Sequence, residues 1–389
     1  MDHPDRHAEL AALEALLRSP EARWATLAPV LVERVGADRL RSVVAATLER
    51  LGGLTGVDDG SAGLRVHGPA GHVLAWAHVD ATGALDGLML APRLQRRGLS
   101  PAAGLRVRAV VLLALFALAV FQAWRATTVG DWAADLAGES VVAVVLGGVT
   151  PWRTLPAALR GPIGALATVG AASAVRLPGL PAGDITGSAL EFLLVAGLLV
   201  LVGRSRRFRW GTPGSTLSFP LRGPWYVMQG GGRLLNHHAG LPEQRAAVDL
   251  LRVGRWGTRR RGARRDDPAS YLAFGAPVHA PCGGRVVSAV GDLPDQVPGR
   301  PRYGPPYGNH VAIDNGTGTV RLAHLRQGSV RVAAGDVVRA GQVLGEVGNS
   351  GNSSEPHLHV HADQDGDGLD LVFADVPGAL FRGRSVRAG

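Results

Sequence analysis

The 389-residue chain contains no lysine: all 41 of its basic residues are arginine. It has one cysteine, Cys282, which excludes an intrachain disulfide and a cluster of thiolate metal ligands. Aromatic residues make up only 5% of the chain and do not alternate with the arginines, so the net charge of +9 is not the pattern of a nucleic-acid-binding face. We expect anionic partners other than nucleic acid, such as phospholipid headgroups or anionic polymers.

Long apolar stretches occupy the middle of the chain, in which hydrophobic residues reach 46% overall. One of them, 107–124, approaches the ~20 residues of a membrane-spanning helix, a second lies at 190–202, and weaker ones lie at 141–149 and 162–175. They predict a transmembrane region of about four helices within residues 99–210, in a multi-pass protein of the cell membrane with the lipid bilayer as a partner. Arginines flank the outer two stretches, which favours cytoplasmic terminal domains.

Residues 1–98 are expected to form a small α+β domain. Between about residues 8 and 52 apolar side chains recur at helical spacing, which predicts two or three short helices. After that segment the pattern changes to short alternating runs at 64–67, 72–78 and 85–90, which predict strands.

The C-terminal part, residues 211–389, consists of short alternating runs separated by glycine turns, which predicts an all-β domain. Within it, residues 335–345 show a paired-turn hairpin pattern that also occurs in lipoyl and biotinyl carrier domains. Those carriers attach their cofactor to a lysine. The absence of lysine therefore excludes that function.

Two histidines, His357 and His359, stand two residues apart just after the glycine-rich run 348–352. In an extended strand, side chains two positions apart leave on the same face, so both imidazoles would converge on one point. Convergent imidazoles indicate a metal site. A surface strand without any ligand explains the pair equally well, so the interpretation as a metal site requires further ligands elsewhere in the chain.

Motifs across residues 225–385 in combination resemble the lysostaphin-type zinc endopeptidases, often called LytM domains. The motifs that carry this resemblance are His324-Leu325, Gly328-Ser329-Val330, Gly335-Asp336-Val337-Val338, Gly341-Gln342, Gly348–Ser354 and Pro356-His357-Leu358-His359. The resemblance implies a β-sandwich whose groove holds one zinc ion, bound by a histidine and an aspartate of an early motif and by the second histidine of His-x-His. On that pattern His359 is a zinc ligand, and His324 and His357 are catalytic histidines that do not bind the ion.

The early motif corresponds to Asn236-His237-His238 followed by Asp249. The family's usual spacing is His-x-x-x-Asp, whereas His238 precedes Asp249 by eleven positions, so the intervening loop is longer than usual. The resemblance therefore implies zinc bound by His238, Asp249 and His359, with His237 as the alternative to His238.

The expected function is that of a membrane-anchored zinc metalloendopeptidase that hydrolyses peptide bonds in peptidoglycan, with its catalytic domain on the extracytoplasmic face. Three protein ligands and one open position are the arrangement of catalytic zinc. Two alternatives stay open: a catalytically silent LytM-type regulator of another cell-wall hydrolase, and a peptidase that faces the cytoplasm. The sequence does not identify the peptide bond cleaved, the role of the N-terminal domain or the oligomeric state.

Three more histidines receive no role: the family pattern gives none to His361, and His279 and His310 have no partner at a matching spacing. His361 shares the face of His359 by alternation and is expected behind the ligands or at the rim of the site, while His279 and His310 are expected to be exposed. The acidic segment 363–368 resembles the opening of an EF-hand loop, but Ala374 stands where that loop requires a glutamate, so a solvated turn is expected.

Overall fold

The computed structural model describes residues 4–60, 63–91, 94, 101–149, 157–184, 186–233, 236–254, 257–262, 264–299 and 304–389. Over these residues the α-helices are α1 (Pro4–Arg18), α2 (Trp24–Leu27), α3 (Pro29–Val35), α4 (Ala37–Leu51), α5 (Pro101–Arg125), α6 (Val129–Val149), α7 (Ala157–Ala172) and α8 (Thr186–Arg206).

The strands are β1 (Gly56–Gly60), β2 (Gly63–Gly68), β3 (Gly71–Val79), β4 (Leu85–Leu90), β5 (Pro213–Leu217), β6 (Gly223–Gln229), β7 (Val248–Leu251), β8 (Pro277–His279), β9 (Gly284–Val290), β10 (Asn309–Asp314), β11 (Thr319–Leu325), β12 (Val337–Val338), β13 (Val343–Glu346), β14 (Leu358–Gln364), β15 (Asp367–Phe373) and β16 (Ser385–Ala388).

The N-terminal part packs helices α1–α4 on an antiparallel sheet of order β1-β2-β3-β4. The buried residues of α4 recur at helical spacing and face the sheet. This helix ends at Gly52, whose φ of 71° is the left-handed conformation that glycine adopts without steric cost. The three runs predicted as strands fall within β2, β3 and β4. The first strand, β1, was not predicted because its sequence, Gly-Val-Asp-Asp-Gly, does not alternate.

Helices α5–α8 form the middle of the chain, and the prediction of a transmembrane region here is wrong. Within the described residues, no helix combines the length and the apolar character needed to cross a membrane. The fold class is corrected accordingly, and the expected multi-pass location in a cell membrane and the lipid bilayer as a partner find no support. Large apolar side chains of α5 and α8 are nevertheless exposed, among them Val110, Phe121 and Leu193.

Charges shorten the two outer predicted spans, and the two middle ones are interrupted or flanked by acidic residues or proline. Arg108 lies inside the stretch 107–124, so its charge-free part is residues 109–124, about 24 Å of helix at ~1.5 Å per residue, against a hydrocarbon core of ~30 Å. In α8 the charge-free part between Glu191 and Arg204 is shorter still. Helix α6 carries three acidic residues in its first half, and α7 contains Pro162.

The C-terminal part is built on one large, mainly antiparallel sheet. Its strand order is β12-β9-β10-β11-β14-β7-β6-β16, with β15 paired to β14 and β5 paired in parallel to β15. Strands β8 and β13 form a separate two-stranded ladder. No α-helix occurs among the described residues from 211 onward, in line with the strand pattern of the sequence.

One hydrophobic cluster joins the large sheet to the small ladder. Val278 of β8 and Leu344 of β13 are buried together with Val286, Leu322 and Val360 of the large sheet. A second cluster lies under helices α1–α4 and shares none of these residues. The boundaries of the three predicted segments, at residues 98 and 210, stay predictions.

Candidate metal centre

A buried carboxylate, Asp249, lies at the centre of the site. It belongs to β7, in which all four residues are buried, and it stands directly opposite His359 in the ladder between β7 and β14. Its Oδ1 lies 3.0 Å from Nδ1 of His359, and its Oδ2 lies 3.0 Å from Nε2 of His238. Strand pairing thus brings together two residues that are 110 positions apart in the chain.

The turn before β7 presents His238 to this carboxylate. The side chain of Asn236 accepts a hydrogen bond from the backbone N–H of His238, and its amide donates to the carbonyls of Gly231 and Arg245. Asn236 therefore closes the long loop between the two parts of the early motif. This ordered turn explains how His238 reaches Asp249 although eleven positions separate them, instead of the four of the usual His-x-x-x-Asp spacing.

His237 and His238 both approach Asp249, but not equally. His237, His238 and Asp249 each bring one donor atom within 4.8 Å of the others. Nε2 of His237 is 3.8 Å from Oδ2 of Asp249, and its side chain is 52% exposed, whereas the side chain of His238 is 8% exposed. His359 is outside this group of three and reaches the carboxylate from its other oxygen. The contact distances and burial favour His238 over His237 as the inner residue.

His324 enters the site from the end of β11 in an unusual backbone conformation. Its φ of 62° is in the left-handed region, which costs a non-glycine residue about 1–3 kcal/mol. The conformation is held on both sides, because its N–H donates to the carbonyl of Tyr307 and its carbonyl accepts from the N–H of Gly348. The ring lies 4.8 Å from that of His357 and 5.8 Å from that of His359, between centroids.

The glycine-rich run 348–352 holds the ring of His324 in place through a backbone carbonyl. Nδ1 of His324 donates to the carbonyl of Ser350 at 2.8 Å, so this nitrogen carries the ring proton. The backbones at Gly308 and Gly351 touch each other so closely that a Cβ on either would lie 2.4 Å from the other chain segment. Glycine is required at both positions for this approach.

His357 lies just before β14, and its ring also hydrogen bonds a backbone carbonyl. Its Nδ1 donates to the carbonyl of Glu355 at 2.7 Å, which leaves Nε2 without a proton in the neutral ring. That Nε2 lies 3.6 Å from Oδ1 of Asp249. The structure therefore brings together all five predicted site residues, namely His238, Asp249, His324, His357 and His359.

Burial sets the charge state of the site. It lowers the pKa of His359 to about 4, although the hydrogen bond to Asp249 opposes the shift. Burial and then the neighbouring imidazoles hold the pKa of His324 well below its usual value. Burial alone would raise the pKa of Asp249, but the surrounding histidines and their hydrogen bonds bring it well below the usual value. At neutral pH His359 is thus a neutral imidazole and Asp249 an ionised carboxylate, the states in which these groups bind metals.

The donor set fits zinc. Bonds of ~2.0–2.1 Å at tetrahedral angles place ligand atoms about 3.3 Å apart, close to the 3.0 Å between each imidazole nitrogen and the carboxylate oxygens of Asp249. Two histidine nitrogens and one carboxylate oxygen are also a ligand set that catalytic zinc uses. His238, Asp249 and His359 could hold such an ion once the two imidazoles move toward each other, since the donor atoms of His359 are not within 4.8 Å of all those of the other two residues.

Several residues around the site were not predicted. Tyr307 lies beside His359 and His361, and its hydroxyl accepts a hydrogen bond from Gln244. Arg321 stacks on Tyr307 and contacts His361. No local spacing marks these residues, since they come from loops and strands that meet only in the fold.

The other three histidines differ from expectation in part. His361 is 1% exposed and lies behind His359, so it is not at a rim. His310 is half-buried rather than exposed, with Nδ1 donating to the carbonyl of Gly308 and Nε2 3.0 Å from the hydroxyl of Ser288. His279 is also half-buried. The acidic segment 363–368 forms the turn between β14 and β15.

Residues 270–371 match the family described as Peptidase family M23. The matched segment contains His324, His357 and His359, while His238 and Asp249 precede it. This match supports a peptidase-type domain in the C-terminal part, as the sequence motifs predicted.

Two curated relatives are lysostaphin of Staphylococcus simulans and the glycyl-glycine endopeptidase ALE-1 of Staphylococcus capitis. Each is 33% identical to this chain over 89 residues, which is 23% of this chain and 16% and 22% of the respective relatives. The chain thus spans about a fifth or less of the length of these relatives.

Solved structures are also similar. The catalytic domain of lysostaphin from Staphylococcus simulans aligns at 19% identity over 40% of this chain and 87% of that chain, with a TM-score of 0.22. The catalytic domain of a prophage-encoded M23 protein from Enterococcus faecalis aligns at 20% identity over 41% of this chain and 93% of that chain, with a TM-score of 0.25.

Proposed function

We propose that the C-terminal part of the chain is a zinc metalloendopeptidase that hydrolyses peptide bonds in peptidoglycan. One observation carries the proposal: the buried carboxylate of Asp249 lies between Nε2 of His238 and Nδ1 of His359, at 3.0 Å from each. The match of residues 270–371 to Peptidase family M23 supports a peptidase. The relatives named lysostaphin and glycyl-glycine endopeptidase support a cell-wall peptide as the substrate class.

His238, Asp249 and His359 are the proposed ligands of one zinc ion. Bound in such a three-ligand site, zinc lowers the pKa of a coordinated water to about 7 and polarises the carbonyl that is attacked. The burial of all three residues keeps other water away from the site and strengthens its electrostatic interactions.

His324 and His357 are the proposed catalytic residues. Each ring donates its Nδ1 proton to a backbone carbonyl, so each neutral ring keeps a lone pair on Nε2. Such a nitrogen can accept the proton that the attacking water loses, and the resulting imidazolium can donate it to the leaving amine. General acid–base groups in this position typically contribute about 10²- to 10⁴-fold in rate.

The test measures zinc content and wall hydrolysis together on the full-length chain. We expect the wild-type protein to bind one zinc ion and to release amino groups from purified peptidoglycan, and His359→Ala to lose both properties. His279→Ala serves as the matched control, since His279 is a half-buried histidine of β8 whose Nδ1 lies against the carbonyl of Pro220.

Two outcomes would contradict the proposal in different ways. A wild-type protein that binds no zinc at neutral pH refutes the metal centre. Full zinc occupancy without release of amino groups refutes the enzyme and favours a regulator of another wall hydrolase.

A further inference from the structure

His361 contacts the edge of the His359 ring that faces away from Asp249. Its Nδ1 lies 2.9 Å from Nε2 of His359, whose own Nδ1 faces Asp249. Both histidines are almost fully buried, with 1% and 2% of their surface exposed. His359 is therefore held at both ring nitrogens. It cannot turn without leaving a buried polar atom unpaired, which costs about 1–3 kcal/mol.

A guanidinium holds the other nitrogen of His361. Nη1 of Arg321 lies 3.0 Å from Nε2 of His361, and the two residues stand directly opposite each other on β11 and β14. Cζ of Arg321 lies 4.5 Å from the ring centroid of Tyr307. The hydroxyl of Tyr307 accepts a hydrogen bond from Gln244 at 3.1 Å. These contacts fix the guanidinium between the histidine and the tyrosine ring.

The direction of these hydrogen bonds follows from the arginine, which can only donate. Arg321 donates to Nε2 of His361, so the neutral ring of His361 carries its proton on Nδ1 and donates it to Nε2 of His359. His359 then carries its proton on Nδ1 and donates it to Oδ1 of Asp249. Without a metal, the four residues form one chain of donors that runs from the guanidinium to the carboxylate.

Ligation through Nδ1 of His359 requires that nitrogen without its proton. The reverse order of donors meets this requirement: His359 donates from Nε2 to Nδ1 of His361, and His361 donates from Nε2. In that order the N–H at Nε2 of His361 faces Nη1 of Arg321, which cannot accept, so the guanidinium must shift away. The acceptor would then be Asp363, whose Oδ1 lies 3.9 Å from Nε2 of His361 and 4.0 Å from Nη1 of Arg321 and must move closer to form the hydrogen bond. Each ring keeps one proton in both orders, and only the nitrogen that carries it changes.

We infer that His361 is a positioning residue of the metal centre: between Arg321 and Asp363, it hydrogen bonds His359 in both proton orders and keeps Nδ1 of His359 directed at Asp249. This inference rests on the proposed function, because it takes His359 as a zinc ligand. Residues that hydrogen bond a metal-bound histidine typically contribute about 10- to 100-fold to metal affinity.

The first measurement is the zinc dissociation constant of the full-length chain in competition with a chromophoric chelator. We expect His361→Phe to bind zinc about 10- to 100-fold more weakly than the wild type. His361→Gln, whose amide can both donate and accept, should recover most of the loss. The control is His279→Phe, which removes a half-buried histidine of β8 whose Nδ1 lies against the carbonyl of Pro220, and it should leave the zinc affinity unchanged.

The second measurement reads the proton positions by ¹⁵N nuclear magnetic resonance of histidine-labelled protein. In the metal-free wild type, His359 should carry its proton on Nδ1, and addition of zinc should move it to Nε2. Arg321→Met should weaken the preference for Nδ1 in the metal-free state. A merely structural role for His361 would not couple these proton positions to Arg321.

Wild-type zinc affinity in His361→Phe, or a metal-free His359 protonated on Nε2, would overturn the inference while leaving the proposed function intact. If His361→Phe does not fold without metal, the same two measurements on His361→Gln and Arg321→Met test the inference instead. If the wild type itself binds no zinc, the proposed function and this inference fail together.

Discussion

Asp249→Asn separates the role of the central carboxylate in zinc binding from its role in the metal-free fold. The amide has nearly the shape of the carboxylate, and its oxygen can accept the Nδ1 proton of His359 as Oδ1 does now. Its NH₂ group can donate to Nε2 of His238 once that ring carries its proton on Nδ1. Both buried hydrogen bonds can be kept, so the free energy of unfolding of the metal-free variant should change by about 1 kcal/mol or less.

Zinc binding should respond very differently. Structural zinc sites with four ligands bind with about 10–16 kcal/mol, which is about 2.5–4 kcal/mol for each ligand. Loss of the charged oxygen should therefore raise the dissociation constant by about 10²- to 10³-fold. At a zinc concentration 100 times its dissociation constant, the wild type gains about 2.7 kcal/mol of stability, whereas the variant gains about 0.4 kcal/mol or less.

The assay is thermal unfolding with and without zinc at that concentration. For a domain of about 150–250 residues, the wild type should melt about 5–11 °C higher with zinc, and the variant about 2 °C higher at most. A variant that keeps the wild-type shift would show that Asp249 is not a ligand. A metal-free variant that melts many degrees below the wild type would refute the hydrogen-bond replacement by the amide.

Three further predictions concern other residues. His357→Ala should keep the zinc ion but lower kcat for peptide hydrolysis by about 10²- to 10³-fold, and loss of the metal instead would assign His357 as a ligand. His238→Ala should lose zinc, measured as bound metal after gel filtration, while His237→Ala should retain it; the reverse result would exchange their roles. Leu322→Ala should cost about 2–5 kcal/mol in chemical denaturation, because the side chain is fully buried, whereas Val337→Ala, on an exposed side chain, should stay within about 0.5 kcal/mol.

Local patterns in the sequence predicted local features of the structure. The alternating runs predicted β2, β3 and β4, since one face of each strand is buried. The spacing of His357 and His359 indicated convergent imidazoles for the same reason. The error at residues 107–124 came from reading a run of apolar residues through Arg108, which leaves too short a charge-free segment.

Long-range register could not be predicted. Asp249 stands opposite His359 only because β7 and β14 pair at that position, and a shift of one residue would move the carboxylate to the other face of the sheet. Alternation likewise gave the face of His361 but not its depth. Strand β14 lies between β11 and β7, so His361, expected either behind the ligands or at the rim, is buried behind His359.

Strands β7 and β14 carry residues of both the site and the hydrophobic core. This arrangement explains how the fold accommodates the destabilising groups of the site. On β7 and β14, the fully buried residues Leu250, Leu358 and Val360 flank Asp249 and His359 in sequence and belong to the main hydrophobic cluster. Burying an ionised carboxylate and keeping His324 at a positive φ both cost stability. The residues that flank the site residues point to the opposite face of the sheet and pack in the hydrophobic core. They hold the backbone of each strand in place, so the strand cannot shift to relieve these costs. The rigid strands therefore keep Nε2 of His238 and Nδ1 of His359 each 3.0 Å from an oxygen of Asp249.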